Sequence, residues 1–338
     1  PLIGRIADVH GRRKYLTYFS VLTSAGVLSL SVLPYSHVYL YCSLFILTNL
    51  AYTVSLSIYD SLLSHISEPD QRNRLSGFAW GFGYIGGVLC LLLVMAAQKY
   101  FPELPRLGFA MTGLFYLGFS LMAIGLMRSA TEKTRQPGVR PSLPFSIKHY
   151  LYLLMGIWLI SEAIDVVIYF TGLFGSTTLG LSKLEIGKLL LLVQLLAFPF
   201  TWAVTHFTKR QNSLKVINLT VVVWVVVIGA MVVSNSYWHL VAISVLTATV
   251  IGSSQALLRG EFSKIVPMES SGLHFGFFSI VTRAANMLGP LLFGALSVGF
   301  SSQRWAFASI IVLFLLGAII LNRAHHRLAR SDDDFPSA

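Results

Sequence analysis

Glu162 and Asp165 stand three residues apart inside the stretch 148–172, whose other members are almost all aliphatic or aromatic. On a helix that spacing puts both side chains on one face. A carboxylate in hydrocarbon costs at least about 2.5 kcal/mol, so the pair needs a water-lined cavity, a cationic partner or a proton. They fall about 15 to 18 residues into the stretch, roughly 22 to 27 Å from its start at 1.5 Å per residue. Two readings are open. Neighbouring carboxylates in low dielectric repel each other's charge, so the pair can exchange a proton. Alternatively, both reach water at the helix end and only shape a vestibule.

Other polar residues in apolar surroundings demand the same accounting. Arg283 lies about ten residues into the stretch 274–299 and needs a partner or a cavity. Asp8 and Glu261 are candidate partners; snorkelling to headgroups is the alternative. Asn286, one turn on, can hydrogen-bond between helices. Asp60 either pairs with Arg72 or Arg74 as a gating charge or sits in water at a helix end. Trp80, Tyr84, Tyr169, Gln194 and Asn49 either line a solute cavity or pack between helices. Gly77, Gly81, Gly83, Gly86 and Gly87 have the spacing of close helix contacts. Enzyme chemistry finds little to work with. The nine histidines never show the His-x-x-x-His spacing of a metal helix, and no Gly-Lys-Ser/Thr phosphate loop is present. Cys42 and Cys90 each sit in an apolar run, which reads as packing rather than a disulfide framework or metal site. No cofactor is expected.

The elements that position these residues are bilayer-spanning helices. Of 338 residues, 55% are hydrophobic and only 12% charged, and the mean hydropathy is +0.70. A soluble domain carries about a quarter charged residues, so most of this surface faces something other than water. A spanning helix takes about 20 apolar residues. Ten such stretches lie near 15–35, 38–63, 75–98, 108–128, 148–172, 186–206, 216–234, 237–258, 274–299 and 304–322. Lysine and arginine divide unevenly between alternate connectors, 19 on one side against 5 on the other, with Arg283 inside a helix. Cytoplasmic loops collect positive charge, so the richer side and both termini are expected in the cytosol. The net charge of +11 is therefore read as loop charge, and nucleic acid is not an expected partner.

The first residues carry a recognisable motif. Gly4-Arg5-Ile6-Ala7-Asp8-Val9-His10-Gly11-Arg12-Arg13-Lys14 resembles the major facilitator signature of the loop between spans two and three. Gly4 lets helices approach, Gly11 permits a tight turn, and Asp8 can meet a helix N-terminus or an arginine. Gly4, Asp8, Gly11, Arg12 and Arg13 thus form a candidate gating motif. Tyr59-Asp60-Ser61-Leu62-Leu63, Arg72-Asn73-Arg74-Leu75-Ser76-Gly77 and Gly83-Tyr84-Ile85-Gly86-Gly87 resemble the vacuole-effluxer-like branch of that superfamily. So do His274-Phe275-Gly276-Phe277-Phe278-Ser279 and Gly289-Pro290-Leu291-Leu292-Phe293-Gly294. There are departures. Glu162-Ala163 stands where the branch usually has Asp-Gly, and no acid occurs between Glu185 and Glu261, so the Asp8 arrangement is not duplicated in the second half.

The resemblance implies an all-α polytopic membrane protein of two bundles, with about ten complete transmembrane helices plus the end of another. The expected division is an N-terminal bundle 1–128, a cytosolic linker 129–147, a six-helix bundle 148–323 and a cytosolic tail 324–338. The chain opens at Pro1, and against two equal six-helix halves its first span and most of its second are expected to be missing, some 50 to 70 residues. The expected activity is secondary transport of a small solute by alternating access, coupled to protons if Glu162 and Asp165 exchange one. Amino acids and an efflux direction are what the family implies. The expected setting is a monomer among membrane lipids, in a bacterial cytoplasmic membrane or, in a eukaryote, a vacuolar one. A non-transporting scaffold or receptor on the same fold, or an intramembrane enzyme, is the alternative.

Overall fold

Backbone N–H and C=O groups in hydrocarbon must be satisfied within the chain, and a run of long apolar helices does this locally. The computed structural model describes residues 1–34, 36–104, 106–127 and 147–333, and the side chains of all of these save 210, 284–287 and 326–333. The helices are α1 (Leu2–His10), α2 (Arg12–Val32), α3 (Val38–Ser61), α4 (Leu63–Ile66), α5 (Arg72–Tyr100), α6 (Leu107–Leu126), α7 (Ile147–Thr177), α8 (Lys183–Phe207), α9 (Ser213–Val233), α10 (Tyr237–Ile265), α11 (Ser271–Gly299) and α12 (Gln303–Asp333). No strand occurs among the described residues. Ten helices are long and apolar enough to cross a membrane, α3 and α4 counting as one, and α1 is the short helix before them.

The helices overrun the apolar windows of the sequence, chiefly into polar residues. α5 begins at Arg72, α8 at Lys183 and α9 at Ser213, each three residues before the hydrophobic stretch. The hydrogen-bond ladder does not stop where hydrocarbon stops, so hydropathy marks the membrane and not the helix end. α8 starts on a capping box: Ser182 Oγ accepts from the Glu185 N–H at 3.3 Å, and Glu185 Oε2 accepts from the Ser182 N–H at 2.8 Å. Between α1 and α2, Gly11 has φ 98°, a conformation strained for any residue with a Cβ. The basic connector expected at 129–147 lies outside the described residues except for 147, as does the end of the tail.

The described chain forms two compact units. The first comprises Pro1–Glu68, the described part of Gly86–Ser142, and Val266–Ser279. In it α2 packs on α3 and α6, with Gly26 against Thr48 and Gly113 against Leu28. Ala7, Leu16, Ile58, Leu62 and Ile124 make its buried apolar cluster. The second comprises Pro69–Ile85, the described parts of Leu143–Ile265 and Ile280–Ala338. Here α7 packs on α12, α8 on α10, and α9 on both α10 and α12. Trp224 donates to Ser254 Oγ at 3.1 Å and stacks on Phe314, and Asn218 and Asn322 exchange amide bonds at 2.9 and 3.0 Å. The first half of α5 therefore belongs with α7–α10, and the first turns of α11 belong with α1–α4. Large apolar side chains such as Leu47, Leu114, Leu219 and Val222 stay exposed, as lipid-facing surfaces require. Tyr39, Trp238 and Trp305 are exposed in the first turns of α3, α10 and α12, positions suited to the headgroup layer.

Candidate functional site

In the first unit the glycine-acid motif closes on the start of α11. Asp8 is fully buried. Its Oδ1 accepts from the Gly272 N–H at 2.8 Å and its Oδ2 from the Leu273 N–H at 3.0 Å. These are among the helix-start donors that no turn of α11 can satisfy, and a carboxylate suits the positive end of the helix dipole. Arg12 Nη2 donates to Asp8 Oδ1 at 2.5 Å and reaches the Met268 carbonyl at 3.4 Å, with its side chain buried. Burial raises the Asp8 carboxyl above its ordinary range, against the opposing pull of the Arg12 guanidinium and the two backbone N–H groups. Gly4 makes this approach possible: a Cβ there would sit 2.0 Å from the Gly272 carbonyl oxygen. Ser271 adds a bond to the Ser61 carbonyl at 3.2 Å and one with His65 Nε2 at 3.1 Å. Arg13 is exposed in the first turn of α2, and Asp60 is buried in the last turn of α3.

In the second unit α7 has two different faces. Gly156 meets the Leu321 backbone, and Ile160 meets Gly317, so one face is fastened to α12 by small residues. Trp158, Glu162, Asp165 and Tyr169 fall within about 60° of one another at 100° per residue and form a polar stripe on another face. Glu162 is 3% exposed, yet neither of its carboxylate oxygens has a hydrogen-bond partner among the described residues. It faces α11 at Gly289, where a Cβ would lie 2.8 Å from Glu162 Oε1 and 2.8 Å from Val166 Cγ2. Asp165 interacts electrostatically with Glu162, with Tyr84 of α5 and with Arg283 of α11. The indole N–H of Trp158, one turn before Glu162, is likewise buried with no partner.

The structure brings Arg283 near an acid beyond the two considered. Asp8 is held by Arg12 and α11. Glu261 is bonded by Ser213 and Lys264. Asp165 interacts electrostatically with Arg283, a proximity that spacing along the chain does not encode. The Asn286 side chain lies outside the described residues. The loop before α9 has no acid, but Glu261 reaches across from α10 to its first residue, Ser213. Arg72 donates to the Ser263 carbonyl. Arg259 bonds Ser76 at both Oγ (2.9 Å) and the carbonyl (3.0 Å), 5.8 Å from the Trp80 ring centroid, while Ser76 Oγ donates to the Ala256 carbonyl at 2.7 Å. Nothing in the sequence marked Arg259, Gly272 or Trp158; position in space is their only signal.

The five α5 glycines part company. A Cβ at Gly77 would sit 1.7 Å from Thr205 Oγ1, and one at Gly81 2.8 Å from Phe198, both on α8. Gly83 and Gly86 meet nothing within 4 Å among the described residues. At 100° per residue they lie on the far side of the helix from Gly77 and Gly81. Gly87 is half-buried.

Residues 64–333 match a family described as "Vacuole effluxer Atg22 like". A protein of Bacillus subtilis (strain 168) named as an uncharacterized MFS-type transporter, YxiO, is 25% identical over 95% of this chain and 79% of its own length. Among solved structures, the human organic anion transporter MFSD10 superposes with a TM-score of 0.71 at 14% identity, covering 95% of this chain and 79% of that one. A bacterial homologue of the iron transporter ferroportin, solved in an outward-facing state, gives 0.70 at 13% identity over 96% and 85%. At 13 and 14% identity these two likenesses speak to the fold alone.

Proposed function

We propose, because this chain belongs to the vacuole effluxer Atg22-like family and carries the major facilitator fold, that it is a proton-coupled carrier of amino acids with its exchange site on the polar face of α7. It is an integral membrane protein and a transporter of the major facilitator type, not an enzyme, at the level of the family. Beyond that level the proposal has four parts: a zwitterionic solute, protons as the coupling ion, export as the direction, and cytosolic termini. The solute crosses by alternating access, carried by a monomer in a bacterial cytoplasmic membrane or a vacuolar one.

The observation that carries the reading is Glu162: a carboxyl 3% exposed whose two oxygens accept no hydrogen bond among the described residues. A buried carboxylate in that setting costs several kcal/mol unless something neutralises it. A proton and a solute ammonium are interchangeable neutralisers, and competition between them for one carboxylate is the physical basis of exchange. Asp165 and Arg283 supply a second acid and a cation beside it. Asp8 on the first turn of α11 fits the gating part, since opening that end requires the two N–H bonds to part.

Proteoliposomes test this directly. Counterflow of labelled neutral amino acids, with and without an imposed pH gradient, should show accumulation driven by the gradient. Glu162→Gln and Asp165→Asn should each lose that dependence, while solute-for-solute exchange persists at a raised KM. Unchanged pH dependence in both variants removes the pair from the mechanism. Absence of counterflow for any solute would instead favour a non-transporting protein built on this fold.

A further inference from the structure

Two groups of opposite hydrogen-bonding sense are left unsatisfied one turn apart on the same face of α7. The Trp158 indole N–H is a donor only, and the Glu162 carboxylate is an acceptor only. Both are buried, and neither has a partner among the described residues. Residues at i and i+4 on a helix are neighbours, about 5–6 Å apart at Cβ, and a helical side chain lies over the turn that precedes it, so the Glu162 carboxyl extends towards the turn that carries Trp158. The two are not bonded to each other. Buried polar groups in native proteins are paired, and two complementary ones side by side point to a third party that bonds both.

The surroundings define that third party. Opposite Glu162, α11 carries Gly289, whose missing side chain leaves room for the carboxylate: a Cβ there would lie 2.8 Å from Glu162 Oε1. Among the described residues the unpaired acceptors on this face are the two Glu162 oxygens. The cation on α11, Arg283, interacts electrostatically with Asp165. Among the described residues the buried, unpaired donor one turn from Glu162 is the Trp158 N–H. Gly156, Leu159 and Ile160 on the adjoining face are occupied with α12, so the indole belongs to the polar stripe and not to the α12 seam.

We propose that Trp158 is a specificity-determining residue of the solute site, its indole N–H receiving the carboxylate of a solute whose ammonium group is taken by Glu162. This rests on the reading that the polar face of α7 is where solute binds. A site built to donate to a solute group rejects the analogue that lacks it, because the donor is then left buried and unpaired. The indole N–H therefore separates amino acids from the amines obtained by decarboxylating them, which keep the ammonium and the side chain.

The test is a ligand titration of the purified full-length protein followed by thermal stabilisation, with neutral L-amino acids and their decarboxylated amines as probes. Wild type should respond to amino acids at lower concentration than to the amines. Trp158→Phe keeps an aromatic ring and removes the donor. It should weaken amino-acid binding by about tenfold or more and leave the amine titration unchanged. Loss of packing would move both probes together. Should Trp158→Phe fail to fold, benzothienylalanine at position 158, which replaces the N–H by sulfur in an isosteric ring, answers the same question. Equal weakening of both probes, or of neither, overturns the role of Trp158 and leaves the α7 site standing. A wild type that answers to no amino acid overturns the site reading and this inference together, so the two failures are told apart by which protein shows them.

Discussion

Gly4→Ala adds one methyl group where α1 lies on the first turn of α11, and the structure fixes its cost. A Cβ built there is 2.0 Å from the Gly272 carbonyl oxygen, 2.6 Å from the carbonyl carbon and 3.2 Å from the Leu273 nitrogen. All three are backbone atoms and cannot rotate aside. Reaching ordinary contact at 3.4 Å needs a separation of about 1.4 Å, the difference between 3.4 and 2.0. Asp8 follows Gly4 by one turn on the same face of α1, so the movement carries it away from the Gly272 and Leu273 N–H groups. Bonds of 2.8 and 3.0 Å are then stretched out of range. Each charge-assisted bond is worth about 1.5–3 kcal/mol, so losing both costs about 3–6 kcal/mol. Alanine in place of glycine in a helix returns about 1 kcal/mol, leaving a net loss of about 2–5 kcal/mol. Hydrogen exchange of the full-length protein in nanodiscs reads this out in peptides covering 266–279. Exchange there should accelerate by at least about thirty-fold. Gly83→Ala is the matched control, because that position meets nothing within 4 Å among the described residues, and it should leave exchange in 266–279 unchanged. Protection retained within about threefold in Gly4→Ala, or lost equally in the control, would refute the reasoning.

The remaining expectations use the same contacts. Burial raises Asp8 in the folded chain, and a group with a raised folded pKa adds stability that is present below its unfolded value and is lost as pH rises through the folded one. The melting temperature of wild type should therefore rise relative to Asp8→Asn, which cannot ionise, as pH falls from neutral towards the ordinary carboxylate range. Gly289→Ala pushes against Glu162 Oε1 and Val166 and should cost about 1–3 kcal/mol. A double-mutant cycle with Glu162→Ala, measured by reversible unfolding in detergent, should show coupling of at least about 1 kcal/mol, because the shorter side chain vacates the space. Ser76→Ala removes the oxygen that accepts from Arg259 Nε and donates to the Ala256 carbonyl. It should lower stability by about 1–3 kcal/mol, and unchanged melting would mean that those bonds have no net worth.

The ten spanning helices were legible because a bilayer imposes a one-dimensional rule: about 20 apolar residues per crossing, interrupted by short polar connectors. α9 (Ser213–Val233) is visible as a nearly unbroken apolar run. The tight turn at Gly11 was legible too, since its positive φ is a local demand. Hydropathy could not place the polar first turns of α5 and α8, because the helix continues after the lipid ends.

What this sequence determines by itself is which segments are helices, which of them enter lipid, and that Glu162 and Asp165 share a face, all consequences of periodicity and solvent. What only the tertiary structure decides is whom each buried charge meets: Asp8 with amides 264 and 265 residues away, Asp165 with Arg283, and Glu162 with the gap left by Gly289. It also decides that Gly77 and Gly81 are packed while Gly83 and Gly86 meet nothing within 4 Å among the described residues. The physical reason is range: helix formation and lipid partition depend on neighbours within a few turns, whereas charge pairing and close packing depend on which helices cross, and apolar faces that all suit lipid equally carry no mark of their eventual partner.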